Sequence, residues 1–152
     1  MEQTLLALKP DAVMRRGVGA AVLGRVLEAL PDAEFRGFLE ISVSHSLAEQ
    51  HYAVHKGKFF YEALVNHICS CPVVAAVIEG PQAISIVRAM VGATRPWEAT
   101  PGTIRGDFAL QGLRNLIHAS DAPETAESEI TLWFKPTEIT PYPREIDRWL
   151  YE

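Results

Sequence analysis

One stretch of eight residues, 72–79, restricts the possible folds more than any other part of this chain. It reads PVVAAVIE, an apolar and largely β-branched run with a charged residue only at its end. Such a run is typical of a central strand that is covered on both faces or nearly so. Gly80 and Pro81 then predict a turn, and residues 82–91 predict a helix.

The rest of the chain alternates between the two hydrophobic periods of strands and helices. Residues 4–8 form an apolar run that predicts a buried first strand ending at Lys9. Apolar residues at spacings of three and four predict a helix over 18–30, whereas 35–44 alternates as a strand does. The other predicted elements are helices over 46–52, 60–69 and about 123–134, and a short strand over 116–118.

Two of these helices carry candidate capping residues. Ser46 with Glu49 three positions later predicts a capping box for the helix over 46–52. For the last helix, either Ser120 or Asp121 is the predicted cap, and Pro123 falls in the first turn.

The order of elements predicts an α/β (α+β) sandwich, with helices on one face of a small mixed or antiparallel sheet. At 152 residues the chain is expected to form a single domain over 1–152, with a proline-punctuated tail over 135–152. Residues 92–114 lack any periodicity, and a loop that long inside a compact domain is usually functional.

Composition excludes several classes of protein. The net charge of −5, from 14 Lys and Arg against 19 Asp and Glu, argues against a non-specific nucleic-acid or membrane-surface binder and against a sheet-based RNA binder. The longest apolar run, 73–78, is too short for a bilayer span, and the first residues lack a signal-peptide pattern. We expect Cys69 and Cys71 to be free thiols and the protein to be cytoplasmic.

A histidine in the stretch RNLIHASD, residues 114–121, is the first candidate for chemistry. Helix geometry places Glu129 beside the apolar stripe of the last helix, so its carboxylate is expected to face the protein. Such a carboxylate could hold one tautomer of His118 and leave the other ring nitrogen as a nucleophile, with Ser120 bonded to the same carboxylate. The alternative is a structural histidine at a strand end.

Other polar residues give weaker indications. Arg88 lies at the edge of the apolar side of its helix, where it either reaches out to solvent or serves a site. His51 and His55 are spaced to share one metal ion, but no third ligand is evident, so no protein metal site is predicted. No Walker phosphate loop is present in the sequence, so any bound phosphates must be held by side chains.

Taken together, the motifs closely resemble those of nucleoside diphosphate kinases, in order and at nearly family spacing over residues 4–134. They are LLALKPDAV, HY at 51–52, FF at 59–60, CPVVAAVIEG, GATRP, PGTIRGDF, and RNLIHASD followed by AESEITLWF; the terminal WLYE is also similar. The resemblance implies a ferredoxin-like, small four-stranded antiparallel sheet with helices packed on it and a long active-site loop.

It also implies a ping-pong reaction, in which the γ-phosphate of a nucleoside triphosphate passes to Nδ1 of His118 and then to a nucleoside diphosphate. The implied catalytic residues are His118, Glu129, Ser120 and Lys9. The implied nucleotide-binding residues are Lys9, Tyr52, Phe60, Leu64, Arg88, Thr94, Arg105, Gly112 and Asn115. Mg²⁺ would be bound mainly through the nucleotide phosphates, with no metal ligands assigned to the protein.

In the family that this chain resembles, Phe60 stacks on the base, which implies broad base specificity because every base has a π-face. The resemblance also implies a homo-oligomer, with a hexamer as the first expectation and a tetramer or dimer as alternatives. No membrane and no dedicated nucleic-acid partner is expected.

The sequence departs from the family pattern near the expected base. Gly112 stands where valine is usual and Leu113 where glycine is usual, so either Leu113 fills the wall of the base slot or base affinity is weaker. Ala119 replaces a glycine and is expected to add a methyl beside the imidazole of His118. These changes leave one alternative function, a catalytically weak or idle member that acts as a nucleotide-binding or regulatory subunit.

Overall fold

A computed structural model describes residues 1–15, 17–29, 34–143 and 145–150. The strands are β1 (Glu2–Leu8), β2 (Glu34–Ile41), β3 (Val73–Gly80) and β4 (Ile117–Ala119). The α-helices are α1 (Pro10–Val13), α2 (Val18–Ala29), α3 (His45–His51), α4 (Tyr61–Ile68), α5 (Ala83–Val91), α6 (Ile104–Phe108), α7 (Pro123–Trp133) and α8 (Asp147–Leu150). Short 3₁₀ helices span Ala53–His55, Pro96–Glu98 and Pro136–Glu138.

The four strands form one sheet in the order β2-β3-β1-β4, and every neighbouring pair is antiparallel. The ferredoxin-like, four-stranded antiparallel sheet is therefore confirmed. The apolar run over 72–79 becomes β3, which lies between β2 and β1, as a central strand should.

Helices pack on both faces of the sheet, so the expectation of a single covered face is wrong. Leu5 and Ala7 belong to one buried cluster, which α3, α4 and α7 cover. Leu6 and Leu8 belong to a second cluster, which α1, α2, α5 and α6 cover. Because successive side chains of a strand point to opposite faces, the nearly continuous apolar run of β1 supplies both cores at once.

Both predicted caps are wrong. Ser44, not Ser46, caps α3, since its Oγ accepts from the backbone N–H of Leu47 at 3.1 Å. Ala122, not Ser120 or Asp121, occupies the N-cap position of α7, and its methyl group cannot form a side-chain hydrogen bond.

The loop over 92–114 is less irregular than its sequence indicates. It contains the Pro96–Glu98 turn and α6, which Thr103 caps by accepting from the N–H of Gly106 at 3.1 Å. Gly92 allows the sharp bend at its start, since its φ is +87° and a Cβ there would lie 2.5 Å from Oγ1 of Thr103.

The predicted tail over 135–152 contains a 3₁₀ helix and α8, while positions 144, 151 and 152 lie outside the described residues. Position 30, the predicted end of α2, lies outside them as well. Within the described ranges, every helix falls short of the combined length and apolarity that crossing a membrane requires.

Candidate active site

Strand register places His118 toward the interior of the molecule. His118 of β4 pairs with Ala7 of β1, and directly opposed residues of antiparallel strands share a face. Ala7 belongs to the cluster that α3 and α7 cover, so the imidazole points toward these two helices, whereas Ile117 and Ala119 point into the opposite cluster. The His118 side chain nevertheless keeps 21% of its surface exposed, so solvent reaches the ring.

Glu129 and Ser120 hold the imidazole as the sequence predicts. Nε2 of His118 donates to Oε2 of Glu129 at 2.9 Å, and Oγ of Ser120 donates to the same oxygen at 2.6 Å. An ionised carboxylate only accepts hydrogen bonds, so Nε2 carries the proton and Nδ1 carries the lone pair. Among the described residues, Nδ1 has no hydrogen-bond partner, which leaves it available as a nucleophile.

The environment of Glu129 keeps its carboxylate ionised. Burial by itself would raise the pKa of Glu129, but the hydrogen bonds from His118 and Ser120 and the nearby His51 bring that pKa below its usual value. Ser120 is fixed in turn by the first strand, because its Oγ accepts from the N–H of Leu5 at 3.2 Å. The orienting carboxylate is thus tied to the core of the sheet.

His51 is a neighbour of His118 that the sequence analysis misses. Its ring lies edge to face against the His118 ring, with centroids 4.5 Å apart, and Nε1 of Trp133 donates to its Nδ1 at 3.2 Å. Burial, together with the positive charge that His118 can carry, lowers the pKa of His51 to about 3. The 3.9 Å approach of His51 to Glu129 is therefore not an ion pair at neutral pH.

His51 is grouped with His118 and Glu129 rather than with His55. Nitrogen atoms of His51 and His118 and an oxygen of Glu129 lie within 4.8 Å of one another. The hydrogen bonds from Trp133 and Ser120 already engage the donor atoms of this group. The arrangement functions as a hydrogen-bond network that holds His118.

A second chain of polar contacts leads from β1 to the long loop. Nζ of Lys9 donates to Oδ1 of Asn115 at 2.8 Å, and Nδ2 of Asn115 donates to the carbonyl of Thr94 at 2.9 Å. Lys9 and Asn115 are buried, whereas Thr94 is exposed. Burial and the charge of Arg105 lower the pKa of Lys9 to about 8.

Two arginines flank the strand that carries His118. The guanidinium of Arg105 donates to the carbonyls of Gly92, Asn115 and Ile117 at 3.1, 3.2 and 2.6 Å. A guanidinium has five N–H donors, so these carbonyls account for three of them. Burial and the charge of Arg88 lower the pKa of Arg105 to about 10, which leaves it charged at neutral pH. Arg88 donates to the carbonyl of Ala119 at 3.4 Å.

The backbone just before β4 is held in an unusual conformation. Leu116 is fully buried with φ of +72°, a region that side chains other than glycine rarely adopt. Its N–H donates to Oδ2 of Asp11 at 3.0 Å, and its carbonyl accepts from the N–H of Lys9 at 2.8 Å. His67 of α4 bonds the other oxygen of Asp11 at 2.9 Å. This clamp fixes the direction in which the chain enters β4.

The residues expected around the base lie in α4, in the segment before it and in the long loop. Tyr52 is buried, with its ring 4.7 Å from that of His51, and Leu64 is buried in the cluster beneath α4. Phe60 is half-buried at the start of α4, and the rings of His55 and Phe59 contact it. Gly112 lies against the indole of Trp97.

Ala119 does not crowd the imidazole, contrary to the expectation from sequence. Its side chain points away from His118 and packs in the cluster under α5. The extra methyl is therefore accommodated in the opposite core.

Of the neighbours that the sequence analysis misses, only Trp133 leaves a local signal. It lies four residues after Glu129 on α7, a spacing that puts both side chains on one helix face. His51 and Trp97 reach their neighbours across long sequence separations, which periodicity does not report.

Comparison with known proteins agrees with this geometry. The family model described as nucleoside diphosphate kinase matches residues 2–139. The nucleoside diphosphate kinase of Roseiflexus sp. (strain RS-1) is 48% identical over 154 residues, and that of Chloroflexus aurantiacus (strain ATCC 29366 / DSM 635 / J-10-fl) is 49% identical, each covering 100% of both chains.

Solved structures agree in fold. A nucleoside diphosphate kinase family protein from Babesia bovis superposes with a TM-score of 0.92 at 36% identity, covering 99% of this chain and 100% of that one. A halophilic nucleoside diphosphate kinase from Halobacterium salinarum, solved in complex with CDP, gives a TM-score of 0.92 at 38% identity and covers 99% of each chain. The chain therefore belongs to the nucleoside diphosphate kinase family.

Proposed function

We propose that this chain transfers the γ-phosphate of a nucleoside triphosphate to a nucleoside diphosphate through a phosphohistidine at Nδ1 of His118. The observation that carries the proposal is the tautomer of His118. Its Nε2–H group donates a hydrogen bond to the Glu129 carboxylate, and the lone pair of Nδ1 is left free. In the first half-reaction Nδ1 bonds to the γ-phosphorus as the bond to the β-γ bridging oxygen breaks, and the nucleoside diphosphate leaves. The second half-reaction reverses these steps with another nucleoside diphosphate.

The surrounding residues supply charge and alignment. Phosphoryl transfer passes through a transition state whose charge is spread over the phosphoryl oxygens, so positioned cations contribute more than covalent chemistry. The Glu129 carboxylate stabilises the positive charge that the imidazole acquires when Nδ1 is phosphorylated. Lys9, Arg88 and Arg105 are the proposed phosphate ligands, with Thr94 and Asn115 placed to complete the cradle.

We also propose that Mg²⁺ takes part, bound mainly through the nucleotide phosphates. This fits the hydrogen bonds of two buried or half-buried carboxylates, since the oxygens of Asp11 and Oε2 of Glu129 are already engaged by groups of the protein. When bound, the ion neutralises part of the phosphate charge. Residues of this chain then need only orient the phosphates, which suits the guanidinium of Arg105.

Base recognition and assembly are further parts of the proposal. Phe60, Tyr52, Leu64 and Gly112 are the residues we propose around the base and sugar, with purine and pyrimidine nucleotides both accepted. A homo-oligomer, first a hexamer, is supported by large exposed apolar side chains such as those of Leu110 and Trp149, and sedimentation as a monomer would contradict it. We also propose that the chain is a single domain. The two free cysteines support a cytoplasmic location, where thiols stay reduced.

Brief exposure to γ-labelled ATP tests the reaction directly. We expect an acid-labile label on the wild-type protein that unlabelled GDP or CDP removes. His118→Ala should carry no label, whereas His45→Ala, a matched change at an exposed histidine, should be labelled as the wild type is. A wild-type protein without label would contradict the proposal and favour the idle, regulatory alternative, whereas a label that persists in His118→Ala would place the phosphoryl group on another residue.

A further inference from the structure

In the long loop, the exposed Trp97 lies beside Gly112, the position at which valine is usual in the family. A Cβ at Gly112 would lie 3.4 and 3.5 Å from Cη2 and Cζ3 of Trp97, which is ordinary van der Waals contact. Gly112 is not among the glycines with positive φ, so its backbone does not require glycine. Because the added Cβ would already touch the indole, a larger side chain at position 112 would compete with Trp97 for the same space.

Two contacts show how this pair lies relative to the phosphate ligands. The side chain of Asn115 bonds the carbonyl of Thr94. Gly112, three residues before Asn115, lies beside Trp97, three residues after Thr94. The segments 94–97 and 112–115 thus run side by side in opposite directions. Trp97 lies at most about 10 Å of extended chain from Thr94, at the end of the pair away from Lys9.

The backbone around Trp97 is fixed while its ring is open to solvent. Pro96 is buried, the N–H of Ala99 donates to the carbonyl of Pro96 at 3.1 Å, and Arg95 pairs with Glu98 at 3.1 Å. The Trp97 side chain is 70% exposed. A large aromatic ring held on a fixed turn with its surface free is suited to stack on a planar ligand.

We propose that Trp97 is a wall of the nucleobase slot, in the place that Gly112 leaves open. This inference rests on the proposed function, which puts the phosphates at Lys9, Asn115 and Arg105. A nucleotide whose phosphates lie there extends its ribose outward along the paired segments and brings its base to the indole. Stacking on a π-face does not distinguish one base from another, so Trp97 strengthens binding of purines and pyrimidines alike.

The test uses the preformed phosphoenzyme and acceptors with and without a base. We expect Trp97→Ala to lower kcat/KM for GDP and CDP roughly tenfold, within the range for loss of one base–aromatic stack. Ribose 5-diphosphate, which lacks a base, should react with the wild-type and variant proteins at rates within about twofold of each other. Trp97→Phe should retain most of the activity toward GDP, because a phenyl ring still offers a face on which the base can stack.

A second substitution tests the contact with Gly112. Gly112→Val should reduce GDP use in the wild-type background, because valine displaces the indole, and should restore part of the loss in Trp97→Ala, because valine fills the vacated wall. Equal losses for all three acceptors, an unchanged kcat/KM for GDP and CDP in Trp97→Ala, or no rescue by valine would overturn the inference. Failure of the wild-type protein to form the phosphoenzyme would instead contradict the proposed function, and the inference with it.

Discussion

The rings of His51 and His118 meet edge to face, with their centroids 4.5 Å apart. Burial and the neighbouring His118 lower the pKa of His51 to about 3, so the His51 ring is neutral at neutral pH. His51 therefore serves as a packing partner that fixes the His118 ring from the side of α3. Glu129 and Ser120 fix the same ring from α7 and the end of β4.

Replacing Glu129 by glutamine should slow formation of the phosphohistidine. The amide has the shape of the carboxylate but lacks the charge that stabilises the phosphorylated ring. A hydrogen bond to a charged group contributes about 1.5–3 kcal/mol, so the rate of labelling by ATP should fall roughly 10- to 100-fold. Glu127→Gln, an exposed change on the same helix, is the control, and equal rates in the two variants would argue against this role.

The pH profile of kcat/KM should show the titration of Lys9. Its pKa of about 8 means that the ammonium group loses its proton as the pH rises through that value. Activity should decline on the alkaline side, because kcat/KM reports groups of the free enzyme. Lys9→Arg should flatten this limb, since arginine stays charged, whereas Lys56→Arg, at an exposed lysine, should keep it. An unaltered limb in Lys9→Arg would assign the titration to another group.

His51 should make the protein less stable in acid. Its pKa is about 3 in the folded state against 6.5 when unperturbed, so between these values the unfolded chain binds a proton that the folded chain excludes. The stability that the neutral His51 ring contributes to the folded state is therefore complete above pH 6.5 and is lost as the pH falls toward 3. The free energy of unfolding, measured with urea, should fall by up to about 1.4 kcal/mol per pH unit from this group.

His51→Gln tests that assignment. The variant should show a shallower dependence of stability on pH between 6.5 and 5, whereas His45→Gln, at an exposed position of the same helix, should follow the wild type. Parallel curves for the wild type and His51→Gln would mean that other groups cause the acid sensitivity.

Arg105→Lys should cost both stability and activity. Lysine cannot reach the three carbonyls that the guanidinium bonds, and an unsatisfied buried acceptor costs about 1–3 kcal/mol. We expect the urea midpoint to fall and kcat/KM to fall with it. Arg95→Lys, which alters an exposed ion pair, should change neither by much. A stable Arg105→Lys protein with full activity would show that the carbonyl contacts are dispensable.

Local patterns predict most elements of this fold, because strand alternation and helix spacing record which side chains are buried. The same spacing predicts that Glu129 faces inward, and the structure confirms it. Periodicity does not report which face of the sheet a helix covers, and for that reason the second helical layer is missed. The α3 cap is misplaced because Ser44 and Ser46 both lie just before Leu47, and only the backbone conformation distinguishes them.

The residues of the candidate site form two groups. Local sequence patterns relate the first group, and only the tertiary structure brings the second together. His118, Glu129 and Ser120 come from one short segment and the following helix, so helix geometry is enough to relate them. His51 and Trp97 meet their partners through the topology of the sheet and the path of the loop. The contact between Trp97 and Gly112 belongs to this second group, since the two residues are far apart in the sequence.

The clamp on Leu116 separates two parts of the molecule. Strand β4, which follows the clamp, pairs with β1, whereas Trp97, in the loop before the clamp, is exposed. If Trp97 lines the base slot as we propose, substitutions at that position would alter nucleoside affinity while the nucleophilic nitrogen of His118 kept its place on the sheet.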